Sequence, residues 1–207
     1  ESARYDQQPR AFNTNKNRSF NLDESDLVAL SAVRRGKVPL VVQVDRAADI
    51  IKVVTAFGSY PALRLVLASA TEAWKVAPLL KADNIPVLIN VMENLPQNFD
   101  RLGARLDQAT LLAEAGVRFA FFSGSPYSET RSLSQAAGIA VAQGLSWQQA
   151  ITAITAAPAE IWGLKGLGRI EVGAIADLVI WNGDPLEVTS APVAVLIDGA
   201  RVDLETR

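Results

Sequence analysis

From Asp23 onward, apolar positions alternate between helical spacing and short unbroken runs. DESDLVALSAVRRG sets Leu27, Leu30 and Val33 on one helical face and stops at Gly36. KVPLVVQV follows, a Val-rich run of the kind that suits a strand covered on both faces. The alternation then recurs. DRAADIIKVVTAFG predicts a helix, residues 63–68 (LRLVLA) a second strand, and TEAWKVAPLLKAD a helix that bends or begins late at Pro78. Residues 86–90 (PVLIN) read as a third strand, LDQATLLAEAG as a helix closed by Gly116, and residues 117–122 (VRFAFF) as a fourth strand. Strand and helix alternating in this way predict a parallel sheet with helical crossovers.

The pattern changes after the fourth strand. A Ser/Gly/Pro loop, SGSPYSET, leads into LSQAAGIAVAQG and then SWQQAITAITAAPAEIWG. In the latter, Ser146 followed by Gln149 is a capping signature. Ile151, Ile154 and Ile161 are expected to pack on the sheet, with an interruption at Pro158. GRIEVGAIADLVIWNGDP and VAVLIDGARV then read as two to four short strands with turns at Asn182-Gly183 and Asp198-Gly199, the former expected to use positive φ. The expected organisation is a polar leader or loop over 1–22 that continues an upstream segment, a βα body over 23–163, and a β-strand tail over 164–207. An eight-stranded barrel takes about 250 residues. Four βα units are therefore either a small open sheet or half of a barrel whose first half lies elsewhere, and the polar start at Glu1 favours the second.

Composition narrows the chemistry. Of 207 residues, 49% are apolar and 20% charged, which predicts a packed globular body rather than disorder. A formal charge of -2, with Arg34, Arg35 and Lys37 the one close basic cluster, gives no footprint for nucleic acid. Cysteine is absent, which removes thiolate metal sites and thiol nucleophiles and leaves the redox compartment open. Histidine is absent as well, so Ser-His-Asp catalysis and imidazole ligation cannot come from this chain. No apolar run approaches the roughly 20 residues that span a bilayer.

GLGRIEVGAIADLVIWNGDPLEVTSAPVAVLIDGARVD resembles the end of the amidohydrolase superfamily, in particular its imidazolonepropionase-like branch: a short strand, a Val-Gly turn, "ADLV", "GDP", and a last strand ending in a "DG" turn. AAGIAVAQGLSWQQAITAITAAPAEIWGL is similar to the helices after the last barrel strand, with Ala157 where that family commonly has Asn. The likeness extends back through residues 38–122. It implies an α/β fold: the C-terminal half, strands 5 to 8, of a TIM-barrel-like metal-dependent hydrolase, followed by short strands of a small composite β-sandwich. It also implies hydrolysis of non-peptide C–N bonds, with zinc at the C-terminal ends of the strands. In that family the ligands are His on strands 1, 5 and 6, a carboxylated Lys or Glu, and an Asp after strand 8. On this chain the strand-5 position falls on Asp45, the strand-6 position near Ser69 and Ala70, and the strand-8 position near Gly124 or Ser125. None is the expected ligand, so no cofactor is predicted for this chain, and zinc remains the expectation for a complete site.

Candidate residues carry competing readings. Asp45 opens a helix after an apolar strand, so it either caps that helix at Ala47 and Ala48 or survives as an oxygen ligand or catalytic group. Glu72 is expected to favour its own helix N-terminus, with Thr71 or Ser69 as N-cap. Asn90, Glu93, Asn94 and Asp100 lie in a long loop where cleft residues concentrate, with Glu93 a candidate catalytic group; the alternative is a polar loop that holds its own turns. Ser125 is a candidate nucleophile and Tyr127 a candidate cleft residue, in a loop without a histidine base. Four dispersed tryptophans, Trp74, Trp147, Trp162 and Trp181, read as packing groups, and Asp177 and Asp184 as tail architecture.

The expected function is an amidohydrolase-like protein that is catalytically degenerate or incomplete in this chain. The alternatives are a hydrolase active only when an N-terminal half carrying an H-x-H pair completes it, and a non-catalytic binding or assembly module. Open sheet edges predict a partner, either the missing N-terminal half-barrel or a second copy. Whether there is a small-molecule substrate stays open, and relatives of this branch are often exported, a lean toward the periplasm or cell envelope.

Overall fold

A computed structural model describes residues 1–7, 21–123 and 132–204. Four strands form a parallel sheet: β1 (Leu40–Val44), β2 (Leu65–Ser69), β3 (Val87–Ile89) and β4 (Phe119–Phe121). They lie side by side in chain order, with Val44 opposite Ser69, Leu67 opposite Val87, and Ile89 opposite Phe121. All C-terminal ends therefore meet at one mouth. β2, β3 and β4 are buried along their whole length, which is why they read as continuous apolar runs, whereas β1, an outer strand, alternates between half-buried and exposed.

The two faces of the sheet are filled differently. Leu67, Val87, Ile89, Phe119 and Phe121 belong to the large core shared with the crossover helices, α3 (Ala47–Phe57), α4 (Ala77–Ala82) and α5 (Gln108–Glu114), and with α6 (Leu133–Ala142) and α7 (Trp147–Ile154). Val66, Ala68, Leu88 and Ala120 point the other way and meet Ala157 and Ile161 of α8 (Ala156–Trp162). At the end away from the mouth, the Arg64 guanidinium donates to the Ile161 carbonyl at 2.7 Å, fixing α8 there.

Prolines set two irregularities. The segment after β2 starts as a 3₁₀ turn, Ala73–Val76, and becomes α-helical only where Pro78 sits in the first turn of α4. Pro158 does not interrupt its helix at itself. Lacking an N–H for the Ile154 carbonyl, it moves the break one turn upstream to Thr155 (φ −127°, ψ −83°), which separates α7 from α8. α7 opens with the expected capping box: Gln149 N–H donates to Ser146, and the Gln149 side chain accepts from the Ser146 N–H.

Local expectations fail at Leu30 of the helix before β1 and at Asn182-Gly183 of the tail. Residues 1–22, expected to be a polar leader or loop, include a short helix, α1 (Ser2–Gln7), whose Asp6 pairs with Arg34 of α2 (Glu24–Arg34) and with Arg35 just beyond it. In α2, Leu27 and Ser31 face inward and Leu30 is exposed, because the Ser31 hydroxyl donates to Asp6 at 2.5 Å and turns that face toward α1. In the tail, β5 (Leu178–Trp181), β6 (Pro192–Ile197) and β7 (Ala200–Val202) form an antiparallel sheet. Asn182 and Gly183 lack the expected positive φ, which falls instead on the Asp198-Gly199 hairpin, at 50° and 77°. Gly183 is needed instead for a close approach, since a Cβ there would lie 2.7 Å from the Ser190 hydroxyl.

Candidate functional site

The residues at the mouth lie on loops that leave β1, β2 and β3. Ser69, the last residue of β2, and Ala70 both hold positive φ (67° and 44°), a region that costs an L-residue about 1–2 kcal/mol. Ala70 is kept there by its own peptide: its N–H donates to the Val44 carbonyl at 2.8 Å, and its carbonyl accepts from buried Gln108 at 2.8 Å. This kink presents Ser69 and Thr71 to the end of β1.

Asp45 takes up that presentation. Its Oδ1 accepts from the Thr71 hydroxyl at 2.6 Å and its Oδ2 from Arg101 Nε at 3.3 Å. Burial of the carboxylate works to raise its pKa, but hydrogen bonds from Thr71 and Ser69 and the Arg101 charge outweigh it and hold the group below the usual Asp value. Asp45 therefore does not cap α3. The Ala47 N–H donates to Glu72 Oε2 at 2.9 Å, so Glu72 reaches across from the next loop to cap α3 rather than its own helix. Gly103 makes room for it, since a Cβ there would lie 2.4 Å from Glu72 Oε1, and its carbonyl accepts from Trp74 Nε1 at 3.0 Å.

The central group is Arg101, which sequence reasoning passed over. Each guanidinium nitrogen engages a different loop: Nε meets Asp45, Nη2 meets Ser69 Oγ at 3.2 Å, and Nη1 meets Glu93 Oε2 at 2.6 Å. The Arg101 and Asp45 side chains are 15% and 16% exposed, and Glu93 is 36% exposed. Hydrogen bonding to Glu93 raises the Arg101 pKa further, so the charge is permanent. A basic residue in a long loop facing strand ends that carry two carboxylates was the available signal.

The other described loop candidates make no side-chain hydrogen bond to Asp45, Glu93 or Arg101. Asn90 is buried and accepts from the Met92 N–H at 3.1 Å, Asn94 is buried, and Asp100 is mostly solvent-exposed, 3.8 Å from Arg46. The Nδ2 groups of Asn90 and Asn94 are buried without a hydrogen-bond partner among the described residues. Ser125 and Tyr127, with Gly124 of the strand-8 position, lie outside the described residues. Asp177 and Asp184 hold turns, accepting from the Asp198 N–H at 2.8 Å and the Leu186 N–H at 2.9 Å, and Asp184 also accepts from Trp147 of α7.

Known proteins share this fold. The model of an amidohydrolase family matches residues 108–203. A curated relative, amidohydrolase tasK of Hapsidospora irregularis, is 36% identical over 90 residues, 43% of this chain and 9% of its own length. The crystal structure of an amidohydrolase from Thermotoga maritima superposes with a TM-score of 0.85 at 25% identity, covering 98% of this chain and 52% of its own. These matches support membership of the amidohydrolase superfamily. Its four parallel strands are the C-terminal half of the TIM-barrel-like amidohydrolase fold. A prolidase solved with n-methylphosphonate-l-proline shares the fold at a TM-score of 0.64 and 20% identity, covering 83% of this chain and 47% of its own. The chain thus spans about half the length of the solved amidohydrolases it matches.

Amidohydrolases are typically metal-dependent, and the residues described here do not fit that group. Among the described residues, no cluster of three or more Asp, Glu, His or Cys side chains is placed to hold an ion. At the strand-5 position both Asp45 oxygens are engaged, one by Thr71 and the other by Arg101, and the strand-6 position offers a serine hydroxyl already bonded to Arg101. A catalytic zinc needs about three protein ligands and an open position.

Proposed function

We propose that this chain is a catalytically degenerate half of an amidohydrolase barrel, acting through binding or assembly rather than hydrolysis. One observation carries the reading: each oxygen of Asp45, the acidic residue at the strand-5 position, already accepts a hydrogen bond, one from Thr71 and the other from the Arg101 cation, which stands where a metal would. Activation of water by zinc requires direct coordination, and neither Ser69 nor Ala70 replaces an imidazole in that role. The occupant expected against β1 is an N-terminal half-barrel. The chain's coverage of about half of each solved relative supports that partner.

A hydrolysis assay tests the proposal. Purified protein supplied with zinc is offered N-acyl amino acids, cyclic amides and dipeptides. Turnover should not rise above that of the metal alone. Zinc-dependent turnover that disappears in an Asp45→Asn variant would overturn the reading.

A further inference from the structure

We propose that Arg101 is a built-in cation that occupies the oxygen-lined mouth of the half-barrel and ties its three strand-end loops together. This deepens the degenerate reading and rests on it. Asp45 stands at the end of β1, Ser69 at the end of β2, and Glu93 in the 3₁₀ turn after β3. These elements are separate in sequence, yet one oxygen from each points at a single guanidinium, at 3.3, 3.2 and 2.6 Å. An oxygen set that converges in this way needs a positive centre, because two part-buried carboxylates facing one another without one repel and lose solvation.

The arginine is positioned for the task. It ends the 3₁₀ turn Phe99–Arg101, whose N-cap Asn98 accepts from the Asp100 and Arg101 N–H groups at 3.0 and 3.1 Å, so the backbone is set before the side chain reaches inward. A planar fork with fixed donor directions can serve three acceptors at once, which a lysine cannot match. Because its charge is covalently attached, the seat is filled at any metal concentration, and the loop running from Asn90 to Asp107 is pinned over the strand ends. Arg101 is therefore a positioning residue, acting through charge.

Substitution in the full chain tests this. Arg101→Met should lower the melting temperature by about 5 °C, the scale for removing one partner of a part-buried ion network. If the guanidinium acts as a cation, adding Asp45→Asn and Glu93→Gln to Arg101→Met should restore at least half of that loss. Millimolar calcium or magnesium should raise the melting temperature of Arg101→Met and leave that of the native protein unchanged. A melting temperature within a degree of native for Arg101→Met overturns the proposal. So does a triple variant less stable than Arg101→Met together with no response to divalent ions, since lost packing would then explain the effect. Where Arg101→Met alone does not fold, the triple variant decides: it folds if charge is the cause and fails if packing is. The native protein's zinc-dependent turnover is a separate readout. Its absence alongside failed rescue would remove the role of Arg101 and leave the degenerate reading standing.

Discussion

Ala70 shows how much the mouth depends on backbone geometry. It is fully buried with φ at 44°, in a region glycine enters without steric cost. Replacing it with glycine removes a buried methyl, worth about 0.8 kcal/mol, and relieves left-handed strain of about 1–2 kcal/mol, against a glycine entropy cost of about 0.5–1 kcal/mol. The terms nearly cancel, so Ala70→Gly should change unfolding free energy by less than about 0.5 kcal/mol. Ala137, equally buried but in the interior of α6, has no strain to release, and Ala137→Gly should cost about 2 kcal/mol. Chemical denaturation of both variants checks the contrast, and equal losses would remove strain from the account. None of this is visible in the string LASATEAW, because the φ values at Ser69 and Ala70 are imposed by partners on β1 and α5, far away in sequence. Arg101 escaped notice for the same reason: its three partners come from three loops. Proximity in sequence points Glu72 to its own helix, whereas Gly103, 31 positions on, leaves the space that lets it reach α3.

At the level of elements, the strands were legible because β2, β3 and β4 are covered on both faces and must be apolar throughout. Helix starts were legible where a short polar side chain makes the cap, as at Ser146. Less legible were Leu30, turned outward by the pull of Asp6 on Ser31, and Asn182-Gly183, where glycine serves a close approach rather than a turn. β1 carries a consequence for assembly. It is an outer strand of the parallel sheet, with Val41 41% exposed, and Val179, Ile180 and Val193 of the tail sheet are exposed as well. Purified alone, the 207-residue chain should therefore run as a dimer or larger species in size-exclusion chromatography with light scattering, or bind a hydrophobic dye strongly. A stable monomer that binds no dye would show that these surfaces need no cover.

For the whole molecule, an amidohydrolase sheet and its helices persist around a mouth whose charges are satisfied from within. The fold class could be read from the alternation of elements and the tail from its ADLV and GDP strings, since both are local patterns. What fills the mouth could not, because it is a tertiary arrangement of loops. Among the described residues, no helix is long and apolar enough to cross a membrane. A mouth already filled by Arg101 should not take up zinc, and metal content reports on this. Protein purified without chelator, incubated with excess zinc and desalted should retain zinc well below one ion per chain by elemental mass spectrometry. Retention of one or two ions per chain, surviving desalting and lost in Asp45→Asn, would contradict the account.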